Sequence, residues 1–286
     1  MTRPMDTWNW QSTWPAPAKL NLFLHVVGRR ADGYHLLQTL FRFVDHGDSL
    51  RFHPAADGEL GLTRPIPGVP PESDLCLRAA RLLQQHSGCR RGAMIELEKR
   101  LPMGGGLGGG SSDAATVLLA LNHLWQLGLS RPQLQELGLQ LGADVPIFLF
   151  GHNAFAEGVG EALQAVTLPA ASYLVLEPPV AVPTAAIFTA PELRRDTPAI
   201  RAADWQAGFG GNDLEPVACA RFPAVQTHLD WLRQHAPARM SGSGACVFAE
   251  FAEAAAAEAV LAQLPAGWRG WVANGLAAHP LASLPA

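Results

Sequence analysis

The chain has little of what marks a secreted or membrane-bound protein. Its four cysteines are scattered and none forms a C-x-x-C pair, so the sequence indicates neither a disulfide framework nor a zinc site. The N-terminal residues lack the apolar run of a signal peptide, and no stretch of about 18 apolar residues is present to span a membrane. We therefore expect reduced thiols, no membrane partner and a cytoplasmic location.

The sequence also lacks any block of like charge. It has 21 basic and 25 acidic residues among 286, for a net charge of −4. Proteins that bind nucleic acid usually show a basic patch or stripe, so we expect no nucleic-acid partner. A local basic pocket for a phosphorylated ligand is compatible with this average. Because 48% of the residues are hydrophobic, the chain can form one large domain or two ordinary ones.

Hydrophobic periodicity predicts alternating strands and helices. Strand patterns cover Ala18–Val27, Leu36–Val44, Ala93–Glu98, Tyr173–Glu177 and Cys246–Phe251, and a loop-rich segment covers 54–71. Helical patterns cover Ser73–Gln85, Ala114–Leu127, Pro132–Leu141, Ala224–His235 and Ala252–Leu264. The spacing of these elements is not that of βαβ units, so the sequence predicts an α+β fold rather than a doubly wound parallel sheet.

The most informative stretch is a glycine cluster, Pro102–Asp113, in which six of twelve residues are glycine. It leads from a predicted strand directly into a predicted helix, where unpaired N–H groups and the positive end of the helix dipole favour an anion. A flexible linker would not lie between two periodic elements. Gly104, Gly106 and Gly109 satisfy G-x-G-x-x-G, but residues 125–135 lack the acid of a dinucleotide site, and no lysine follows as in a Walker A loop. The cluster therefore predicts nucleotide binding and leaves the reaction open.

Three motifs together resemble one kinase family. The segment PMGGGLGGGSSDAA resembles the second signature of the GHMP kinases, Pro17–Leu24 resembles the first, and Ser241–Cys246 resembles the third. The likeness extends from about Trp14 to Pro280. It implies a two-domain α+β fold with the active site in the cleft between the domains. Residues 1–166 would form the ATP-binding domain, of the ribosomal protein S5 domain 2-like type, and residues 167–286 the C-terminal GHMP kinase domain.

The resemblance implies ATP as the phosphoryl donor, with Mg²⁺ carried by ATP and no dedicated metal site in the protein. The residues that it assigns to ATP are Lys99, Pro102, Met103, Gly104, Gly105, Gly106, Leu107, Gly108, Gly109, Gly110, Ser111 and Ser112. The two serine hydroxyls are the expected neighbours of Mg²⁺. Asp113 is expected to be a helix cap that points away from the phosphates. Asp74 stands where some relatives have an Asn near the adenine, so no adenine contact is assigned to it.

The resemblance also implies a catalytic pair, Lys19 and Asp144. From the local sequence alone, Asp144 is either a helix cap or a functional group, and Lys19 is a strand lysine that faces solvent or extends its ammonium group toward it. The family's pattern makes Asp144 the base, and an ammonium group beside it would keep it ionised and favour the developing alkoxide. Whether Asp144 removes the proton or only orients the hydroxyl is left open.

Within the family, the chain resembles the branch that phosphorylates a hydroxyl of a cytidine-diphosphate substrate on the non-mevalonate route to isoprenoid precursors. By this resemblance Asn21, Tyr34, His35 and Phe188 bind the substrate, with the base between Tyr34 and Phe188 and His35 at its edge. A family member acting on a sugar or amino-acid alcohol, and a non-catalytic nucleotide binder, are the alternatives. Two further points are open: whether the protein is a monomer or a homodimer, and whether Ser241–Gly244 is a simple turn or packs against a ligand or the glycine cluster.

Overall fold

The structure is a computed structural model that describes residues 8–284, and those residues contain two sheets. The first sheet lies in the N-terminal half. Its strands are β1 (Trp14–Arg29), β2 (His35–Ala55), β3 (Leu60–Leu62), β4 (Gly92–Glu98), β5 (Ala154–Glu157) and β6 (Ala162–Ala165). The order is β3-β4-β2-β5-β6, with β1 paired to β2. All pairings are antiparallel except that of β3 with β4.

Within residues 8–284, the N-terminal half has four helices, all of which lie between strands of this sheet along the chain: α1 (Leu75–Ser87), α2 (Gly109–Leu124), α3 (Arg131–Leu141) and α4 (Val145–Phe150). The apolar faces of α1 and α2 pack with the sheet in one large core, in which Leu83, Leu118 and Phe52 are fully buried. Burial of apolar area of this kind is the main favourable contribution to folding, and it holds the start of α2 rigidly beside β1.

The C-terminal half is built on a second, four-stranded antiparallel sheet. Its strands are β7 (Ser172–Leu176), β8 (Ala238–Met240), β9 (Val247–Phe251) and β10 (Gly270–Asn274), in the order β10-β7-β9-β8. Its helices are α5 (Thr184–Phe188), α6 (Glu215–Arg221), α7 (Pro223–Arg233) and α8 (Ala254–Leu261), with a 3₁₀ turn at Ala202–Asp204. The predicted α+β class is confirmed, because each half combines a sheet with helices.

The two halves share an apolar interface, and the C-terminal segment returns to the N-terminal half. Leu20 and Phe23 of β1 are buried in one cluster with Tyr173 and Phe248 of the second sheet. The segment 275–284 then returns to the first half, where Leu281 packs in the large core. A domain boundary near residue 166 stays a prediction, and this returning segment contacts the N-terminal half although it follows the second sheet.

Several element boundaries differ from those that periodicity predicts. Helix α2 begins at Gly109, inside the glycine cluster, and ends at Leu124 rather than Leu127. Strand β2 continues to Ala55 because its second part, from Ser49, pairs with β4, and the expected loop at 54–71 contains the short strand β3. Asp74 caps α1, accepting a hydrogen bond from the Leu77 N–H. No helix within residues 8–284 is long and apolar enough to cross a membrane.

Candidate active site

A cavity of about 950 Å³ lies between the two halves. The glycine cluster forms one wall, Lys19 and Asn21 of β1 form its floor, and Tyr34, His35 and Phe188 line its other end. The sequence-predicted residues therefore come together around one space, with a single exception, Ser112. A cavity of this size at an interface between domains is a common form of small-molecule site.

The glycine cluster turns sharply into α2 at Gly108. Gly108 adopts a left-handed conformation, φ +71°, and caps the helix. A Cβ at this position would lie 2.9 Å from the ring of Phe148 and 3.1 Å from Cε of Lys19, so only glycine fits. The first turn of α2, Gly109 to Ser111, faces the cavity. Its backbone N–H groups and the helix dipole provide the anion site that the sequence predicts.

The turn at Ser241–Gly244 packs directly against the glycine cluster. The Ala245 N–H donates to the Gly104 carbonyl and the Cys246 N–H to the Gly105 carbonyl, both at 3.1 Å. The Ser241 hydroxyl donates to the Gly106 carbonyl at 3.0 Å. Of the two interpretations of this motif, the close packing against the cluster is confirmed. The C-terminal half thus supports the loop through its backbone.

Lys19 is buried and has three acceptors for its ammonium group. Its Nζ donates to Asn21 Oδ1 at 2.6 Å and to the Gly106 carbonyl at 3.1 Å, and it lies 3.2 Å from Asp144 Oδ2. An ammonium carries three protons, so the three contacts account for all of them. The solvent-facing lysine that the strand pattern favours is wrong, because only 2% of the Lys19 side chain is exposed.

Asp144 occupies the residue before α4 but does not cap that helix. Its side chain accepts no hydrogen bond from the backbone of α4, which begins at Val145 and has Pro146 as its second residue. The carboxylate is 40% exposed and lines the cavity beside Lys19. Of the two local interpretations, the structure therefore disfavours the cap and leaves one carboxylate edge accessible to a ligand.

Asn21 is fixed from both sides. Its Nδ2 donates to Thr39 Oγ1 at 2.9 Å, and the Thr39 hydroxyl donates to the Phe23 carbonyl at 2.5 Å. This chain of donors leaves Asn21 Oδ1 facing Lys19. Asn21 and Lys19 lie on the same face of β1 because side chains two residues apart in a strand point the same way.

Lys99 lies below the glycine cluster between two buried carboxylates. Its Nζ contacts Asp48 and lies 2.8 Å from Asp113. Asp48 also accepts from the backbone N–H groups of Arg100 and Leu101 at 2.6 and 2.8 Å, which ties the start of the loop to β2. The Lys99 ammonium is thus already paired, while one edge of the side chain still lines the cavity.

The expectation that Asp113 is a cap pointing away from the site is wrong. Because α2 begins at Gly109, Asp113 falls in the second turn, buried, with one oxygen near Lys99 and the other without a partner among residues 8–284. Burial raises the pKa of Asp113 to about 7, opposed by Lys99 and assisted by Asp48.

Ser112 does not line the cavity, unlike the other residues predicted for ATP. Its hydroxyl donates to the Pro17 carbonyl at 2.8 Å, and its N–H donates to Gly108. The hydroxyl holds α2 against β1, and the N–H makes a backbone hydrogen bond within α2 to its N-cap residue. Of the two serines expected beside Mg²⁺, only Ser111 faces the cavity.

The far end of the cavity is aromatic. The Tyr34 side chain is 65% exposed, and the rings of His35 and Phe188 have their centroids 5.1 Å apart. Burial, together with the nearby guanidinium groups of Arg195 and Arg29, lowers the pKa of His35, so the imidazole is neutral at pH 7. This end offers flat apolar surfaces and a neutral ring nitrogen.

Comparison with known proteins agrees with this arrangement. Residues 74–152 match the GHMP kinases N terminal domain and residues 190–270 match the GHMP kinases C terminal domain. The chain is 70% identical over 272 residues to 4-diphosphocytidyl-2-C-methyl-D-erythritol kinase of Dechloromonas aromatica, covering 95% of this chain and 99% of that protein. This chain belongs to the GHMP kinase family. It is therefore a small-molecule kinase, and ATP is the phosphoryl donor that the family implies.

A second relative and two solved structures are also similar to this GHMP kinase. It is 60% identical over 270 residues to the same-named kinase of an Azoarcus species, covering 94% of this chain and 96% of the relative. The crystal structure of a 4-(cytidine 5'-diphospho)-2C-methyl-D-erythritol kinase superposes with a TM-score of 0.80 at 36% identity, covering 92% of this chain and 99% of that one. A mevalonate kinase superposes at 0.66 with 14% identity over 93% of this chain and 99% of its own, which shows the shared fold.

Sequence reasoning missed three residues that shape the site of this GHMP kinase. Thr39 is a polar residue in an apolar run of β2, a pattern that the sequence itself shows, so it could have been found from the sequence. Asp48 and Arg195 carry no such signal. Their partners are 51 and 160 residues away along the chain, so only the folded structure reveals their roles.

Proposed function

We propose that this GHMP kinase transfers the γ-phosphoryl group of ATP to the 2-hydroxyl of 4-diphosphocytidyl-2-C-methyl-D-erythritol. The products would be the 2-phosphate and ADP, a step of the non-mevalonate pathway of isoprenoid precursor biosynthesis. The contact between Lys19 Nζ and Asp144, 3.2 Å long and facing the cavity, carries the proposal. The names and high identities of the relatives support the choice of substrate.

Asp144 is the proposed acceptor for the proton of the substrate hydroxyl. Its carboxylate is accessible from the cavity, while Lys19 holds the other side of it. In phosphoryl transfer the protein mainly aligns the hydroxyl, accepts its proton and compensates the charge on the phosphate oxygens. The Lys19 ammonium also donates to the Gly106 carbonyl, so one group links the proposed base to the phosphate loop.

The proposed ATP site is the glycine cluster with Lys99 at its base. The exposed backbone of Gly104 to Ser111 would bind the phosphate chain, and the wall formed by Pro102 and Met103 would contact the nucleoside. Mg²⁺ usually binds with few protein ligands and with substrate phosphates, and the Ser111 hydroxyl, which lines the cavity, would be its protein neighbour. When bound with ATP, the metal would neutralise phosphate charge.

The proposed site for the cytidine diphosphate group is the aromatic end of the cavity. Tyr34 and Phe188 offer faces for the base, His35 offers a ring nitrogen for its edge, and Asn21 would contact the acceptor end of the substrate. Stacking contributes roughly 1–3 kcal/mol per base. The exposed Tyr34 ring, 65% accessible in the absence of ligand, is the group with most area to bury. We also propose a cytoplasmic location and a monomeric or homodimeric enzyme.

ADP release in the presence of Mg²⁺, ATP and the cytidine-diphosphate alcohol tests the proposal. Asp144→Asn and Lys19→Met should each lower kcat roughly 100- to 10,000-fold, the range for general acid–base groups. Asp57→Asn, at an exposed acid outside the cavity, is the matched control and should turn over normally.

The outcomes separate the alternatives. Full activity of Asp144→Asn would remove the base assignment and leave the kinase. ADP release only with a sugar or amino-acid alcohol would place the enzyme elsewhere in the family. No turnover by a folded protein that binds ATP would indicate a nucleotide binder without chemistry.

A further inference from the structure

Arg195 connects the two residues at the aromatic end of the cavity. It lies in the segment after α5, and its Nε donates to Nε2 of His35 at 3.0 Å. Its Nη2 donates to the carbonyls of Phe188 and Ala190 at 3.0 and 2.6 Å, and its Nη1 donates to the Leu193 carbonyl at 2.8 Å. One guanidinium thus joins the first residue of β2 in the N-terminal half to the end of α5 in the C-terminal half.

This contact determines which nitrogen of His35 carries the proton. A guanidinium has donors and no acceptor, and it stays charged in proteins. Nε2 of His35 must therefore accept, which leaves the proton of the neutral imidazole on Nδ1. Nδ1 has no partner within residues 8–284, and His35 lines the cavity. The charged groups nearest to this ring are Arg195 and Arg29, with Asp32 at the same rim.

A fixed N–H donor at this place distinguishes pyrimidine bases. Cytosine presents an acceptor at N3, whereas uracil presents a donor, N3–H, at the same position. The Nδ1–H donor of His35 can donate a hydrogen bond to N3 of cytosine, but in uracil it would face the N3–H, a second donor. A site built for one hydrogen-bonding pattern rejects the opposite pattern because polar groups are left unpaired.

We propose that Arg195 is a positioning residue that holds His35 in the Nδ1–H tautomer against Phe188 and thereby sets a preference for cytidine over uridine substrates. This inference rests on the proposed function. Arg195 does not need to touch the base. Arg195 acts by fixing the Nδ1–H donor of His35. Through its hydrogen bond to the Phe188 carbonyl, it also fixes the Phe188 ring, whose centroid lies 5.1 Å from that of His35.

The test compares Arg195→Met with Arg194→Met. Arg194 is the adjacent arginine, its side chain is 60% exposed, and it pairs with Asp196, so it matches Arg195 in chemistry but not in contacts. KM for the cytidine substrate, KM for ATP, kcat and turnover of the uridine analogue are measured for each. Arg195→Met should raise KM for the cytidine substrate roughly tenfold, one lost hydrogen bond converted at 1.4 kcal/mol per decade. The KM for ATP and kcat should change less than about twofold, and the cytidine preference should fall.

Two further readouts exclude a general structural effect. Arg195→Lys keeps one cationic donor and should recover part of the cytidine preference. ¹⁵N NMR of the His35 imidazole should show a protonated Nδ1 in the wild type and in Arg194→Met, and a change toward Nε2 protonation in Arg195→Met. The NMR measurement on the wild type needs no variant to fold.

The results separate this inference from the function on which it rests. Wild-type turnover of the cytidine substrate with equal behaviour of the two methionine variants would overturn the role of Arg195 and leave the function. An Nε2-protonated His35 in the wild type would do the same. Absence of wild-type turnover would contradict the proposed function, and with it the assignment to cytosine.

Discussion

The packing between the glycine cluster and the Ser241–Gly244 turn predicts a severe effect of Gly106→Ala. Gly106 has φ +73°, and a Cβ there would lie 2.0 Å from the Ser241 carbonyl oxygen and 3.1 Å from that of Gly244. Left-handed backbone costs a non-glycine residue about 1–2 kcal/mol. Forcing the two backbones apart adds about 1–3 kcal/mol, as overpacking does in cores. We expect the free energy of unfolding to fall by roughly 2–5 kcal/mol.

Gly128→Ala is the matched control for this substitution. Gly128 has nearly the same φ, +70°, but nothing lies within 4 Å of its Cβ position. Gly128→Ala should therefore lower the free energy of unfolding only by the cost of the left-handed backbone, about 1–2 kcal/mol. Urea unfolding of the two variants gives the difference, which isolates the contact between the motifs.

Activity provides a second measurement of the same effect. The Gly106 carbonyl accepts from both Lys19 and Ser241, so displacement of this residue also displaces the proposed catalytic ammonium. Misplacement of a catalytic group by about 1 Å can cost roughly 100-fold in rate. We expect kcat for ADP release to fall at least tenfold in Gly106→Ala and to change little in Gly128→Ala. Equal loss of stability and activity in both variants would refute the reasoning, because the close approach to the turn would then contribute nothing.

Two further predictions concern buried charge. Because burial raises the pKa of Asp113 from 3.8 to about 7, the folded protein holds a proton that the unfolded chain releases, so this group makes stability decline as pH rises from about 4 to 7. Asp113→Asn should flatten that decline in urea unfolding, and an unchanged slope would show that another group causes it. Arg131 donates to the carbonyls of Leu149 and of residues 281, 282 and 284, so Arg131→Gln should lower stability by about 2–4 kcal/mol. Arg131→Gln should also speed amide hydrogen exchange in the returning segment 275–284. The control is Arg90→Gln, at an exposed arginine, which should change neither stability nor exchange. Unchanged protection of the segment in Arg131→Gln would contradict the role of Arg131 in holding it.

Local patterns in the sequence predicted the elements near the site and the phosphate loop itself. Six glycines between a strand and a helix place an anion site at a helix start, because that arrangement depends only on backbone groups next to each other in the chain. The alternation along β1 put Lys19 and Asn21 on one face for the same reason. The α+β class followed from the order of the elements.

Interactions between distant residues lay outside those patterns. Asp113 was expected to be a helix cap that points away from the phosphates, but the helix begins within the glycines, and Asp113 falls in its second turn, buried beside Lys99. Ser112 was expected to face the phosphates, and it instead donates to Pro17. Each residue along an α-helix rotates the side-chain direction by about 100°, so an error of one or two residues in a predicted helix boundary is enough to move a side chain from the site to the core.

The sequence by itself determined the family, the kinase chemistry and the position of the phosphate loop between a strand and a helix, since motifs and strand alternation are short-range properties. Only the tertiary structure decided that Lys19 is buried against Asp144, that the Ser241–Gly244 turn supports the loop, and that Arg195 reaches His35. These contacts join segments from 125 to 160 residues apart. The first depends on how α4 packs within the N-terminal half, and the other two depend on how the two halves pack across a shared apolar interface; no local pattern encodes either.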